Sequence, residues 1–355
     1  GDKIYVRGVN PDGFSHGNNA STVFKMTGKV AASGSVMSLI DGEGEADEIP
    51  CDSCFAFLFS GCEALTKAPE LPATTLKGYC YANMFDFCTN LKEAPKLPAK
   101  EMAVGCYFDM FSDCYSLVTP PELPATTLAE ACYSAMFDDC RNLEETPSLP
   151  ATIMELSCYE AMFSGCENLV KITELPSTTL ADFCYSGMFA SCFSLTKAPE
   201  LPATTLKEGC YASMFLECNN LEKAPELPAA ELVENCYRGM FKNCSSLNYI
   251  KVGVMSLDND FSATEEWVEG IDGKGLFIFP CGSTYDKHGV SEVPDDFEIV
   301  GSPIIVFLNS DSTVLWLDTI NCGDTPQYKD GIEQPTMGDA VFVGWDKPLK
   351  PIDEP

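Results

Sequence analysis

The chain of 355 residues is short of histidine, tryptophan and positive charge. It holds two His, three Trp and 22 Lys plus Arg against 53 Asp plus Glu. The two histidines, His16 and His288, stand near opposite ends of the sequence. No Gly-x-Ser-x-Gly, phosphate loop, His-Glu-x-x-His or paired-carboxylate motif is present, which argues against an enzyme. The net charge of −31 is a poor match for nucleic acid or anionic lipid, where binding runs on Lys and Arg. It suits a soluble chain that stays apart from its copies, so a monomer is expected. No stretch approaches 18 apolar residues, so no transmembrane segment is expected. Gly1 is not an initiator methionine. The expectation is a mature or trimmed chain, without signal peptide or lipid-bearing cysteine.

Cysteine, by contrast, is abundant and periodic. One set falls at 54, 80, 106, 132, 158, 184, 210 and 236, a second at 62, 88, 114, 140, 166, 192, 218 and 244. Sixteen of the 19 cysteines are thus copies of two positions in a 26-residue unit without insertion or deletion. A fixed period of this size predicts a repeat stack, and cysteine is read as architecture before chemistry.

The unit is Cys-Tyr-x-x-Met-Phe-x-x-Cys-x-Asn-Leu-x-x-Ala-Pro-Glu-Leu-Pro-Ala-Thr-Thr-Leu-x-x-x, nearly complete from Cys210 to Glu234. At roughly 100° per residue, Leu76, Cys80, Met84, Cys88 and Leu91 share one face, with Tyr81 and Phe85 at its edge. That pattern predicts a short amphipathic helix. Thr127-x-x-Glu130, Thr152-x-x-Glu155 and Thr205-x-x-Glu208 read as capping boxes at its start. The two prolines that follow remove amide donors and favour a very short extended strand. Helix, strand and turn in repetition describe a leucine-rich-repeat superhelix.

The unit resembles the BspA-like leucine-rich repeats of gut and oral Bacteroidetes surface proteins. Gly34-Ser-Val-Met-Ser-Leu-Ile40 is similar to that family's lead-in, and Leu247-Asn-Tyr-Ile with Trp267-Val268 to its lead-out, so the likeness spans about residues 1–300. The expected fold is an α/β solenoid: a right-handed superhelix of eight 26-residue repeats over 51–252, between an N-terminal β cap (1–50) and a C-terminal cap (253–302). In the caps, Ile4-Tyr-Val6 and Val23-Phe-Lys-Met26 read as strands, Ser262-x-x-Glu265 as the start of a helix, and Leu276-Phe-Ile-Phe279 as a strand. From 303 to 355 a small β-rich module is expected. It opens with a hairpin of Ile304–Leu308 and Thr313–Leu317. Cys322-Gly-Asp-Thr-Pro326, Pro335-Thr336 and Phe342-Val-Gly-Trp345 resemble the β-grasp-like repeats of internalins, though the usual last strand is missing.

Disulfides are not expected within the ladders. Cysteines eight apart on a helix differ by about 12 Å in rise, and equivalent ones on stacked helices by about 8–10 Å, against the roughly 7 Å a bridge tolerates. Buried thiols acting as small hydrophobes fit better. Zinc is disfavoured by the spacing, and no cofactor is expected. Cys51, Cys281 and Cys322 lie outside the ladders, and a Cys51–Cys54 pair stays open. The acidic run Asp41–Glu48 lacks the spaced ligands of a calcium loop and reads as a solvated cap loop.

Two ladders are candidates for binding. Lys67, Glu70, Glu93, Lys96, Glu122, Glu145, Lys171, Glu174, Lys197, Glu200, Lys223 and Glu226 lie on the extended segment, which in solenoids lines the concave, ligand-binding face. A solvated face without a partner is the plainer reading. Tyr81, Tyr107, Tyr133, Tyr159, Tyr185, Tyr211 and Tyr237 would suit sugar rings if stacked on the surface; packed between helices, they would serve only the core. The family resemblance implies a non-enzymatic, extracellular adhesion protein, often a lipoprotein of the outer membrane, binding a host or microbial macromolecule through the solenoid face. A glycan-binding protein and a spacer presenting the C-terminal module are the alternatives.

Overall fold

The structure, a computed structural model, describes residues 3–15, 21–258 and 262–301, with the backbone of 304–308 and 314–319. Identical residues every 26 positions let each unit lie on the next in register, and the backbone hydrogen bonds show how. Along Cys-Tyr-x-x-Met-Phe-x-x-Cys, alternate amides point to different partners. The N–H groups of Tyr81, Asn83, Phe85 and Phe87 donate to the carbonyls of Cys106, Phe108, Met110 and Ser112 in the following unit, at 2.8–3.0 Å. Those of Ala82, Met84, Asp86 and Cys88 donate three residues back, to Tyr79, Tyr81, Asn83 and Phe85. Every amide of the segment is satisfied, half within the unit and half between units.

This is a chain of turns, and it replaces the helix expected over Leu76–Leu91. The residues one before, three after and seven after each first-ladder cysteine all have left-handed φ. In the eight units that makes 24 positions, eighteen of them not glycine. A left-handed residue every fourth position sets the repeat of the segment to 4.0 residues. On an α-helix, side chains four apart drift by about 40°; here Cys80, Met84 and Cys88 form one inward column and Tyr81 and Phe85 another, all fully or nearly fully buried. The capping boxes at Thr127, Thr152 and Thr205 therefore cap nothing; these threonines are exposed. Residues 263–270 are turns too, not the helix expected after Ser262. Among the described residues the only helical element is the 3-10 turn Val36–Leu39, capped by the Ser35 hydroxyl.

This geometry predicts the sign of a substitution. An L-residue in the left-handed region costs roughly 1–2 kcal/mol, partly offset by glycine's extra chain entropy of about 0.5–1 kcal/mol. Ala131→Gly, Ala135→Gly and Ala161→Gly should each stabilise the protein by up to about 1 kcal/mol. On a helix each would destabilise it by about as much. Urea midpoints of the three variants decide between the two conformations.

The proline segment forms the other side of each unit. It carries isolated parallel bridges, among them Glu93↔Thr119, Glu101↔Thr127, Glu145↔Lys171 and Ile153↔Thr179. Proline's missing amide keeps pairing this sparse. One unit has Thr173 where its neighbours have Pro147 and Pro199, and so regains a donor. The preceding unit carries Thr146 where alanine is usual, and its Oγ1 accepts the Thr173 N–H at 2.9 Å.

Strands are few. β1 (Val30–Ala31) pairs in parallel with β2 (Leu65–Lys67). β3 (Tyr249–Lys251), β4 (Gly275–Ile278) and β5 (Phe297–Val300) form a parallel sheet in that order. β6 (Ile304–Leu308) and β7 (Val314–Thr319) pair antiparallel, the hairpin read from the sequence. The motifs from Cys322 onward lie outside the described residues. Ile4–Val6 and Val23–Met26 are not strands, and Ile4, Tyr5 and Val6 are exposed.

Inside, two aromatic columns run the length of the repeats. Tyr81 through Tyr237 stack at centroid separations of 5.7–6.2 Å, Phe85 through Phe241 at 5.5–5.9 Å, with rings within 15° of parallel. These separations exceed the roughly 4.8 Å between paired backbones, so the rings are offset, as their quadrupoles prefer. Phe14 and Phe24 extend the columns beyond Phe55 and Phe59 at the N-terminal end. At the other end Trp267 meets both Tyr237 and Phe241.

Candidate functional site

All twelve charged residues of the extended segment are exposed, and the stacking sorts them into two rows. The first runs Lys67, Glu93, Thr119, Glu145, Lys171, Lys197, Lys223 and ends on Tyr249. The second, three residues further along each unit, runs Glu70, Lys96, Glu122, Ser148, Glu174, Glu200, Glu226. Neighbours within a row are about 4.8 Å apart along the backbone. From the fifth to the seventh unit, three lysines therefore stand in register beside three glutamates. Lys171 pairs with Glu145 and Lys251 with Glu226, each at 3.6 Å, and the Lys223 ammonium sits 4.4 Å over the Tyr249 ring. Such exposed pairs are worth at most about 1 kcal/mol. Among the described residues Glu174, Lys197 and Glu200 have no ion-pair partner.

Thr119 and Ser148 interrupt the rows with short side chains. A shallow groove of about 400 Å³ opens beside them, lined by Pro120, Pro121, Pro124 and Pro147 and edged by Glu122 and Glu145. The sequence reading passed over Thr119, Ser148 and Tyr249, because a search for charge does not register the gaps between charges.

The tyrosine ladder is not a surface. Tyr81, Tyr107, Tyr133, Tyr159, Tyr185, Tyr211 and Tyr237 are each 1–2 % exposed and packed ring against ring. Burial pushes their hydroxyls well above the usual range. The Tyr81 hydroxyl is buried without a hydrogen-bond partner in the protein. No sugar can reach these rings, so the glycan reading that rested on them fails. An amphipathic pattern identifies a buried face, and tyrosine at its edge followed the face inward.

The sixteen ladder cysteines are all buried free thiols. The distances that argued against bridging were wrong, since these units stack at sheet spacing rather than helix spacing. What distinguishes the thiols is their bonding and burial. In the second column the Sγ of Cys88, Cys114, Cys140, Cys166, Cys192, Cys218 and Cys244 each contacts a phenylalanine carbonyl of the preceding unit at 3.0–3.2 Å. Burial raises the thiols of Cys80, Cys158, Cys210 and Cys218 to about 12, so they remain protonated near neutral pH. Cys51 and Cys54 are free as well, and Cys281 is disulfide-bonded. Cys322 lies outside the described residues.

The acidic loop is held by its own first residue. The Asp41 carboxylate accepts the amides of Glu43, Gly44, Glu45 and Ala46. Those bonds, Gly44 foremost, lower its pKa to about 2. Among the described residues no group of three or more His, Cys, Asp or Glu is placed to hold a metal ion, and no helix is long and apolar enough to cross a membrane.

A second acidic feature escaped the sequence reading. Asp86 and Asp109 stand on the turn side, and burial raises both to about 6, assisted by Asp113 at Asp86 and by Asp86, Asp138 and Asp113 at Asp109. Their folded-state carboxyls hold protons more tightly than an unfolded chain, whose aspartates titrate near about 3.9. Between these values the folded state binds more protons, so this contribution to stability grows as pH falls from about 6 to about 4. Asp41 acts oppositely: its stabilisation is present above about 3.9 and lost as pH falls towards about 2. Thermal melts should give a higher midpoint at pH 5 than at pH 7, and Asp86→Asn with Asp109→Asn should flatten the difference. A midpoint that drops over this interval would contradict the assignment.

Residues 130–261 match the family model of the BspA type leucine rich repeat region, in six copies. No curated protein matches the chain. The matched stretch covers the central and later units, including the rows from Glu145 to Tyr249.

Proposed function

We propose that the chain is a non-enzymatic cell-surface protein that binds an extracellular macromolecule, a protein, through its two charged rows. One observation carries this reading. Lys171, Lys197 and Lys223 stand in register, as do Glu174, Glu200 and Glu226, and like charges directly opposite one another destabilise a stack. A partner presenting the complementary rows would relieve both repulsions at once. The match to a BspA-type repeat region is compatible with a protein-interaction role and supports a surface setting. Attachment as an outer-membrane lipoprotein goes with the same reading. In it the eight units wind as a right-handed superhelix, with 1–50 and 253–302 closing its ends.

The test is charge reversal. Glu174→Lys, Glu200→Lys and Glu226→Lys together should weaken capture of a protein found on a matrix-protein array by more than tenfold. Three contacts at about 0.5–1 kcal/mol each exceed the 1.4 kcal/mol that a factor of ten requires. Unchanged capture would remove the rows from recognition and leave the repeats as a spacer for the C-terminal module. The fold itself should tolerate the changes, because all three side chains are exposed.

A further inference from the structure

Cys51 is the only free cysteine among the described residues that is not fully buried. It stands three before Cys54 in Cys-Asp-Ser-Cys, and the intervening Ser53 has a left-handed φ of 54°. Cys51 and Cys54 lie close enough for each thiol to shift the other, and Cys54 is shifted by Cys80 as well. Cys51 thus stands beside the first sulfur column, where solvent reaches it. Gly13 lies over the pair: a Cβ there would come within 2.9 Å of both the Cys51 Sγ and the Cys54 Cα. The next residue, Phe14, donates its N–H to the Cys54 carbonyl at 2.7 Å and stacks on Phe55. The turn bearing the two thiols is therefore the seat on which the N-terminal segment rests.

We propose that Cys51 and Cys54 form a dithiol–disulfide site that exchanges with small-molecule disulfides and, when oxidised, stiffens the seat of the N-terminal segment. The Cys51 thiolate attacks one sulfur of the small disulfide, giving a mixed disulfide and releasing one thiol. Cys54, whose thiol burial raises further, gives up its proton as it attacks the Cys51 sulfur and releases the second. Two protein thiols are oxidised to one bridge, and one disulfide is reduced to two thiols, which take up the two protons. Cys51 initiates because it alone is accessible, and Cys54 resolves because it shares the turn with Cys51. Partial burial raises the Cys51 thiol, and Asp12 and Asp52, the charged groups facing it, add to the rise. The exchange is consequently slow near neutrality and faster in mild alkali. Cys80 is sealed from solvent and takes no part.

The full chain is incubated with glutathione disulfide at pH 9, acid-quenched, alkylated and mapped by mass. The wild type should lose two alkylatable thiols, both in the peptide carrying Cys51 and Cys54, and retain no glutathione. Amide exchange at Phe14 should slow in the oxidised form. Cys51→Ser should lose no thiols, and Cys54→Ser should keep glutathione on Cys51. Because Cys54 is a core residue, Cys51→Ser, which changes a half-buried side chain, decides the matter if Cys54→Ser does not fold. Glutathione persisting on wild-type Cys51, a Cys54–Cys80 bridge, or two unreacted thiols would each overturn the proposal.

Discussion

Met162→Asp should unfold most of the repeat stack, whereas Met240→Asp should open only its last units. Both methionines are fully buried. Met162 lies in a column between Met136 and Met188, walled by thiols and aromatic rings. A carboxylate placed there lies in a hydrophobic core, and burying it costs several kcal/mol, a large share of the 5–15 kcal/mol that holds a typical domain. In a one-dimensional stack each unit is supported only by its neighbours. A defect in the fifth unit severs two long halves, and one in the eighth severs only the C-terminal end. Amide exchange reads the difference directly. The Tyr81 and Tyr185 amides, both bonded to the following unit, should lose protection in Met162→Asp and keep it in Met240→Asp. Equal loss in both variants would argue that the units do not stack linearly.

Trp267→Ala carries the next largest expectation. This one side chain terminates both aromatic columns, with ring centroids 6.1 Å from Tyr237 and from Phe241. It is fully buried, makes an edge contact with Phe277, and donates its Nε1–H to the Glu292 carbonyl at 2.8 Å. Removing it should cost about 3–5 kcal/mol and strip the cover from the last unit. An uncovered unit offers backbone groups and apolar surface to another chain, so light scattering should rise with the loss in urea midpoint. Trp267→Phe keeps contact with one column and should lose distinctly less. A variant as stable as the wild type and monomeric would mean that the end of the stack needs no closure.

The repeat and its buried face were legible because cysteine and aromatic spacing is exact over eight units. The conformation of the segment was not. Over nine residues a period of 4.0 and one of 3.6 select nearly the same side chains, so Cys80, Met84 and Cys88 pass for a helical stripe. The discriminating signal lay in the residues between them. Of the 24 left-handed positions, half are Gly, Asn or Asp, as at Asn83, Asp109 and Gly187, the residues that tolerate that region and favour helices least. The thiols were read as buried and unbridged, which they are, but from helix spacings that do not exist here. The charged rows were legible as exposed residues, since proline-bounded segments keep alternate side chains outward. Their register was not, because it depends on how units stack. Tyrosine misled for the opposite reason: its hydroxyl suggests a surface, while the pattern it sits in belongs to the core.

The turn-side hydrogen bonds carry one more consequence. Along the Cys-Tyr-x-x-Met-Phe-x-x-Cys segment each between-unit backbone bond runs the same way, N–H of one unit to C=O of the next, from Phe55 to Asn243. On the proline side bonds run in both directions, as Thr146 to Lys171 and Val170 to Glu144 show, and largely cancel. The peptide dipoles of the turn side therefore add along the stack as they do along a helix, positive where N–H groups point outward and negative where carbonyls do. Glu265, Glu266 and Glu269 gather at the positive, C-terminal end. Uniform units thus yield a molecule with electrically unlike ends, and a charged partner approaching its flank meets a field that distinguishes one direction along the stack from the other.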